Sequence, residues 1–214
     1  VNESNNRPGG LHRRDLLKGV AAASLVFATG AFGTPQVAAN SPVSSKKGRD
    51  MIRRENAKPG TRDWLLTKTR TVPGKINSIL LNGRSQVIEG YCSANSVRAG
   101  EKLQVMVSAN PESAFKLEIY RTGYYNGDGA RLVKSFDSIK SSPQPEPPVG
   151  ENYVRECQWE LSVEFEIPDD WLSGVYRGKL TAEKENIQSF IIFIVRDDRP
   201  CDFLFQCSDL TWSA

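Results

Sequence analysis

The residues best equipped for chemistry fall into three groups. Tyr120, Arg121, Tyr124, Tyr125 and Arg131 crowd around an Asn126-Gly127-Asp128-Gly129 turn. Aromatic rings and guanidinium groups at this spacing suit a docking face for another domain, or a stacking platform for a sugar or peptide. The plain alternative is a packed core with an ordinary exposed hairpin. Ser208, Asp209, Thr211 and Trp212 follow the apolar run Phe203-Leu204-Phe205. At the carboxyl end of a strand they would form a pocket wall and orient a substrate or a metal-bound water; Ser and Asp serve equally well as loop caps. Asp128 and the pairs Asp169-Asp170 and Asp197-Asp198 offer carboxylates. Calcium needs about six to eight converging oxygens, and isolated acidic pairs at turns are ordinarily solvated, so no metal site is expected in this chain.

What is missing narrows the chemistry further. The single histidine is His12. Residues 40–214 therefore hold no Ser-His-Asp or Cys-His arrangement and lack the commonest transition-metal ligand. There is no Gly-x-Ser-x-Gly, no P-loop and no Cys-x-x-Cys, and Gly127-Asp128-Gly129 lacks the third glycine of a dinucleotide fingerprint. No catalytic residue is expected in the chain as it stands. Of the four cysteines, Cys201 and Cys207 lie in one expected strand. Six residues of strand span about 20 Å, too far for a disulfide, whose Cα atoms sit about 6 Å apart. A Cys92–Cys157 bridge and buried thiols both stay open.

The elements that would position these residues begin after an export segment. Arg13-Arg14 is followed by Asp15-Leu16-Leu17-Lys18 and a weakly apolar run from Gly19 to Gly33. This resembles a twin-arginine signal, with Val37-Ala38-Ala39 as a small-residue cleavage site. The expected partner is the twin-arginine export machinery, and the expected location is periplasmic or extracellular. The first 39 residues hold four of the 28 basic and two of the 25 acidic residues, which leaves the remainder at a net +1. Nothing in that balance points to nucleic acid.

Residues 40–85 read as a linker and N-terminal arm, with 40–60 polar and solvated and 61–85 carrying scattered apolar residues. Residues 86–197 read as short strands. Lys102–Ser108 alternates with Leu103, Val105 and Val107 on one face, and Phe115–Tyr120 alternates with Phe115, Leu117 and Ile119 inward. Trp159–Ile167 alternates with Leu161, Val163, Phe165 and Ile167. The proline-rich stretch 141–150 must be an exposed loop, because proline fixes φ and removes a donor. Seven strands are expected, near residues 87–92, 102–108, 115–120, 131–136, 159–167, 174–182 and 188–195. They fit an all-β fold, an immunoglobulin- or fibronectin-like β-sandwich. Residues 198–214 read as the first strand of a truncated α/β domain, whose two faces would need a following domain to bury them.

Several phrases together resemble the large (β) subunit of N,N-dimethylformamidase and its relatives. They are Ile88-Glu89-Gly90-Tyr91, Tyr120-Arg121-Thr122-Gly123-Tyr124-Tyr125, Glu156-Cys157-Gln158-Trp159, Ile167 to Tyr176, Val195 to Pro200 and Phe203 to Trp212. The resemblance spans about residues 86–214 and implies the N-terminal part of such a subunit: a β-sandwich followed by a larger amidotransferase-like domain. It implies amide hydrolysis at an iron held by tyrosines and a glutamate of that downstream domain, so no iron ligand is carried onto this chain. The chain's own C-terminal domain and a homo-oligomer are the further expected partners. The expected function is that of an accessory domain, inactive alone, in an exported amide hydrolase. The alternative is a secreted β-sandwich that binds a glycan or protein.

Overall fold

Apolar residues alternate along most strands, and the alternation decides which face each strand buries. The computed structural model describes residues 45–69, 87–199 and 204–208. Among these residues one α-helix, α1 (Ser45–Asn56), precedes eight strands: β1 (Ile88–Cys92), β2 (Ser96–Val97), β3 (Lys102–Ala109), β4 (Ser113–Thr122), β5 (Ala130–Ser141), β6 (Val163–Glu166), β7 (Gly174–Ala182) and β8 (Gln188–Val195). They form two sheets, β1-β3-β6 and β2-β8-β7-β4-β5. The pairings are antiparallel, except that the short β2 runs parallel to β8.

The inward sets meet between the sheets. Leu103, Val105 and Val107 of β3 and Phe115, Leu117 and Ile119 of β4 are all fully buried. An aromatic chain fills one end of the core. Trp171 stacks on Tyr176 at 4.9 Å between centroids, Tyr176 stacks on Phe193 at 5.5 Å, and Phe165 sits 6.3 Å from both Trp171 and Phe193. The Tyr176 hydroxyl donates 2.7 Å to the carbonyl of Leu172, four residues upstream, the arrangement of a tyrosine corner. With the two-sheet order it makes this an immunoglobulin-like sandwich. Burial pushes the Tyr176 hydroxyl's pKa up, so it stays a donor.

Three expectations need correction. Residues 45–56 are helical where a solvated linker was expected; helices draw most of their stability from tertiary packing, and α1 docks on the β4–β5 hairpin. The strand expected over 159–167 is shorter, Val163–Glu166, and Leu161 is left exposed. There the chain answers to local anchors: the Trp159 amide donates to the Tyr91 hydroxyl and the Ser162 amide to the Val105 carbonyl. Residues 204–208 form no strand, and Leu204 and Phe205 are 92% and 82% exposed. A strand needs a neighbouring ladder, and the described residues offer none to this segment. Of the two cysteine states left open, the structure has the thiol: Cys92 packs against the core and forms no bridge to Cys157.

Candidate functional site

The β4–β5 hairpin gathers most of the Tyr/Arg cluster at one end of the sandwich, and α1 supplies what the cluster binds. Met51 and Glu55 are four residues apart and so share a face of the helix. Glu55 is 4% exposed. Its Oε1 accepts from the Tyr125 hydroxyl at 3.0 Å and from Arg131 Nε and Nη2 at 2.8 and 2.6 Å, while Oε2 faces Lys58 Nζ at 2.7 Å. Arg121, also buried, donates from one nitrogen to the Tyr125 hydroxyl at 3.0 Å and from another to the Ser173 carbonyl at 3.0 Å. Asn56 Oδ1 accepts from the Tyr124 amide at 2.9 Å. A Cβ on Gly123 would come within 2.6 Å of that same oxygen, so glycine is what lets the helix approach the turn.

The electrostatics follow from the contacts. Burial opposes ionisation of Glu55, but hydrogen bonds from Lys58, Arg131 and Tyr125 outweigh it and hold the carboxyl at about 2. The Tyr125 hydroxyl is pushed up, chiefly by burial and further by Glu55, against the opposing influence of Arg121. Arg131 is pushed up because Glu55 more than offsets its own desolvation. The carboxylate is ionised and matched by cations, and the phenol stays protonated.

Of the residues singled out in the sequence, Arg121, Tyr125 and Arg131 meet in this network. Tyr120 is buried, with its hydroxyl pushed up by burial and by Glu118 and Asp63 nearby. Tyr124 gives its amide to Asn56 while its side chain stays 68% exposed. Ser208 is exposed in the segment 204–208. Asp209, Thr211 and Trp212, like Arg13 and Arg14, lie outside the described residues. The sequence reading missed Glu55, Asn56, Ser173 and Arg199. The i, i+4 pair Met51 and Glu55 was the available signal, but a buried charge does not register in a hydrophobic pattern.

The arm after α1 continues across the outer face of the five-stranded sheet. Thr61 bridges to Ala130, and Trp64 Nε1 donates 2.9 Å to the Asp128 carbonyl. The Arg177 guanidinium lies over the Trp64 ring at 4.9 Å and over Phe190 at 5.5 Å. Lys179 Nζ reaches the Asp63 carbonyl. The amides of Thr67 and Lys68 donate to Gln188 Oε1 at 2.8 and 3.2 Å.

Two features bear on the chemistry open to the described residues. The Tyr125–Glu55 pair has the ligand types that the family resemblance implies for iron, yet Arg121, Arg131 and Lys58 already take both groups and would repel a cation. These residues do not fit the metal, and the described residues gather no group of three or more His, Cys, Asp or Glu side chains able to hold one. A cleft lined by Gly90, Tyr91, Cys92, Arg155, Glu156 and Cys157 presents a thiol that burial pushes up to about 12, the opposite of an activated nucleophile.

The fold and the site thus define an immunoglobulin-like sandwich whose aromatic–arginine face is closed by its own N-terminal arm. Residues 116–214 match the family described as N,N-dimethylformamidase beta subunit-like, C-terminal. That match supports the family over the second half of the chain. Its description names a C-terminal region, so it does not support placing this chain in the N-terminal part of such proteins. No curated protein matches. A crystal structure at 1.4 Å of an uncharacterized protein from Bacillus anthracis str. Ames aligns with 61% of this chain and all of its own, at 12% identity and a TM-score of 0.34. A likeness that low carries no argument.

Proposed function

We propose that this chain is an accessory, positioning domain of an exported N,N-dimethylformamidase-like amide hydrolase. The observation that carries the reading is the family match over residues 116–214, which begins in β4 and runs on past the sandwich into the segment that follows β8. The polar network at the sandwich's end supports a positioning role: the chain's own arm supplies Glu55 as the acceptor for Tyr125 and Arg131, and only Arg121 Nε is left buried without a partner among its side-chain nitrogens. Amide hydrolysis and iron are assigned to the whole protein, outside the residues described, and the twin-arginine-like segment is the basis for export.

The test is made on the whole gene product, recovered with and without its export segment. Iron content and release of amine from small linear amides are measured together. Hydrolysis that depends on bound iron supports the reading. A product with no iron and no amidase activity, but with tight binding to a glycan array, would replace it with a secreted binding module.

A further inference from the structure

The network around Glu55 does not stop at the hairpin. Arg121 donates to the Ser173 carbonyl at 3.0 Å, and the Ser173 hydroxyl accepts from Arg199 at 3.1 Å. Arg199 also donates to Asp197 at 2.6 Å and approaches Met51 Sδ at 3.4 Å. Met51 and Glu55 belong to the same helix. The contacts therefore close a ring: α1 to Tyr125, Tyr125 to Arg121, Arg121 to Ser173, Ser173 to Arg199, and Arg199 back to α1. The ring joins four stretches that are remote in sequence, and one of them is the segment by which the chain leaves β8.

We propose that α1 is a lock on this exit: its docking on the β4–β5 hairpin sets the order of residues 196–199. The physical reason is the scarcity of acceptors. Removing the Glu55 carboxylate leaves Arg131, Lys58 and the Tyr125 hydroxyl without their shared acceptor and frees Tyr125 to shift. Arg121 is 5% exposed and cannot turn to water; its remaining acceptors are the carbonyls of Thr122 and Ser173. Repacking there displaces the residue whose hydroxyl holds Arg199. Loosening α1 also removes Met51 from Arg199 directly. Helix and exit are thus two ends of one contiguous network, the arrangement that carries coupling between sites. The inference deepens the reading of this sandwich as a positioning domain by naming the device that would do the positioning.

The experiment is hydrogen exchange on the full chain, wild type against Glu55→Ala. The reporters are the amides of residues 196–199, among them Arg196, whose N–H donates 2.9 Å to the Val97 carbonyl. The amides of β3 report global stability. The lock predicts faster exchange at 196–199 by about tenfold, within the usual range of coupling between sites, with β3 unchanged. Faster exchange confined to α1, with 196–199 at wild-type rates, overturns it. If Glu55→Ala lowers protection in β3 as well, Asn56→Ala is read instead by the same two outcomes, since it removes only the acceptor of the Tyr124 amide. The amidase assay fails independently. Coupling without hydrolysis overturns the family function and leaves the lock standing; hydrolysis without coupling does the reverse.

Discussion

Glu55 is a carboxylate with almost no access to water that nevertheless stays ionised, because its cationic and phenolic donors cost less to keep than to abandon. Its folded pKa of about 2 lies below the ordinary 4.5. The stability it lends is therefore complete above about pH 4.5 and is lost as pH falls toward 2. A shift of that size corresponds to on the order of 3 kcal/mol. Glu55→Gln should accordingly flatten the acid limb. Urea midpoints at pH 6 and pH 3 should fall further for wild type than for the variant, and parallel losses would remove Glu55 from the account. Cys92 gives a second prediction at this scale. With its thiol held at about 12 by burial, it should resist iodoacetamide at pH 8 in the folded protein and react once urea unfolds it. Rapid labelling of the native state would mean the thiol is open to solvent.

At the scale of elements, the arm of residues 57–69 holds the outer face of the five-stranded sheet through a few specific contacts. Trp64 contributes a hydrogen bond to the Asp128 carbonyl and a cation–π contact with Arg177. Together they are worth about 2 kcal/mol, which is the loss expected for Trp64→Ala in chemical denaturation. Gly129 has φ +88°, and a Cβ there would meet the Trp64 ring at 3.0 Å. Gly129→Ala should cost about 1–3 kcal/mol from backbone strain and the clash together. The cost should be smaller in a Trp64→Ala background, where only the strain remains; equal costs in both backgrounds would show that the ring is not what glycine accommodates. Most strands were readable from sequence because they carry their own alternation, as Leu103, Val105 and Val107 do; β2, two residues long, carries none and was missed. The helix was not. Its docking rests on a charge, and the partner of that charge, Arg131, lies 76 residues away.

For the whole molecule, the relation to N,N-dimethylformamidase-like proteins rests on order and spacing of phrases in the sequence and on the family match over residues 116–214. The sequence singled out Tyr120, Arg121, Tyr124, Tyr125 and Arg131 as a docking face for another domain; in the described residues α1 of the same chain packs on Tyr125 and Arg131. By itself, the sequence determined most strand faces, the exposed proline-rich loop and the lack of histidine in residues 40–214, because those depend on composition and on a period of two residues. Only the tertiary structure decided that a polar stretch becomes a docked helix, that Glu55 pairs with Arg131 and Tyr125, and that Ser173 and Arg199 complete the ring. Those facts depend on which strands are neighbours. The sheet order brings residues 51–56, 121–131, 173 and 197–199 to one end of the sandwich, and no local pattern in the sequence encodes that meeting.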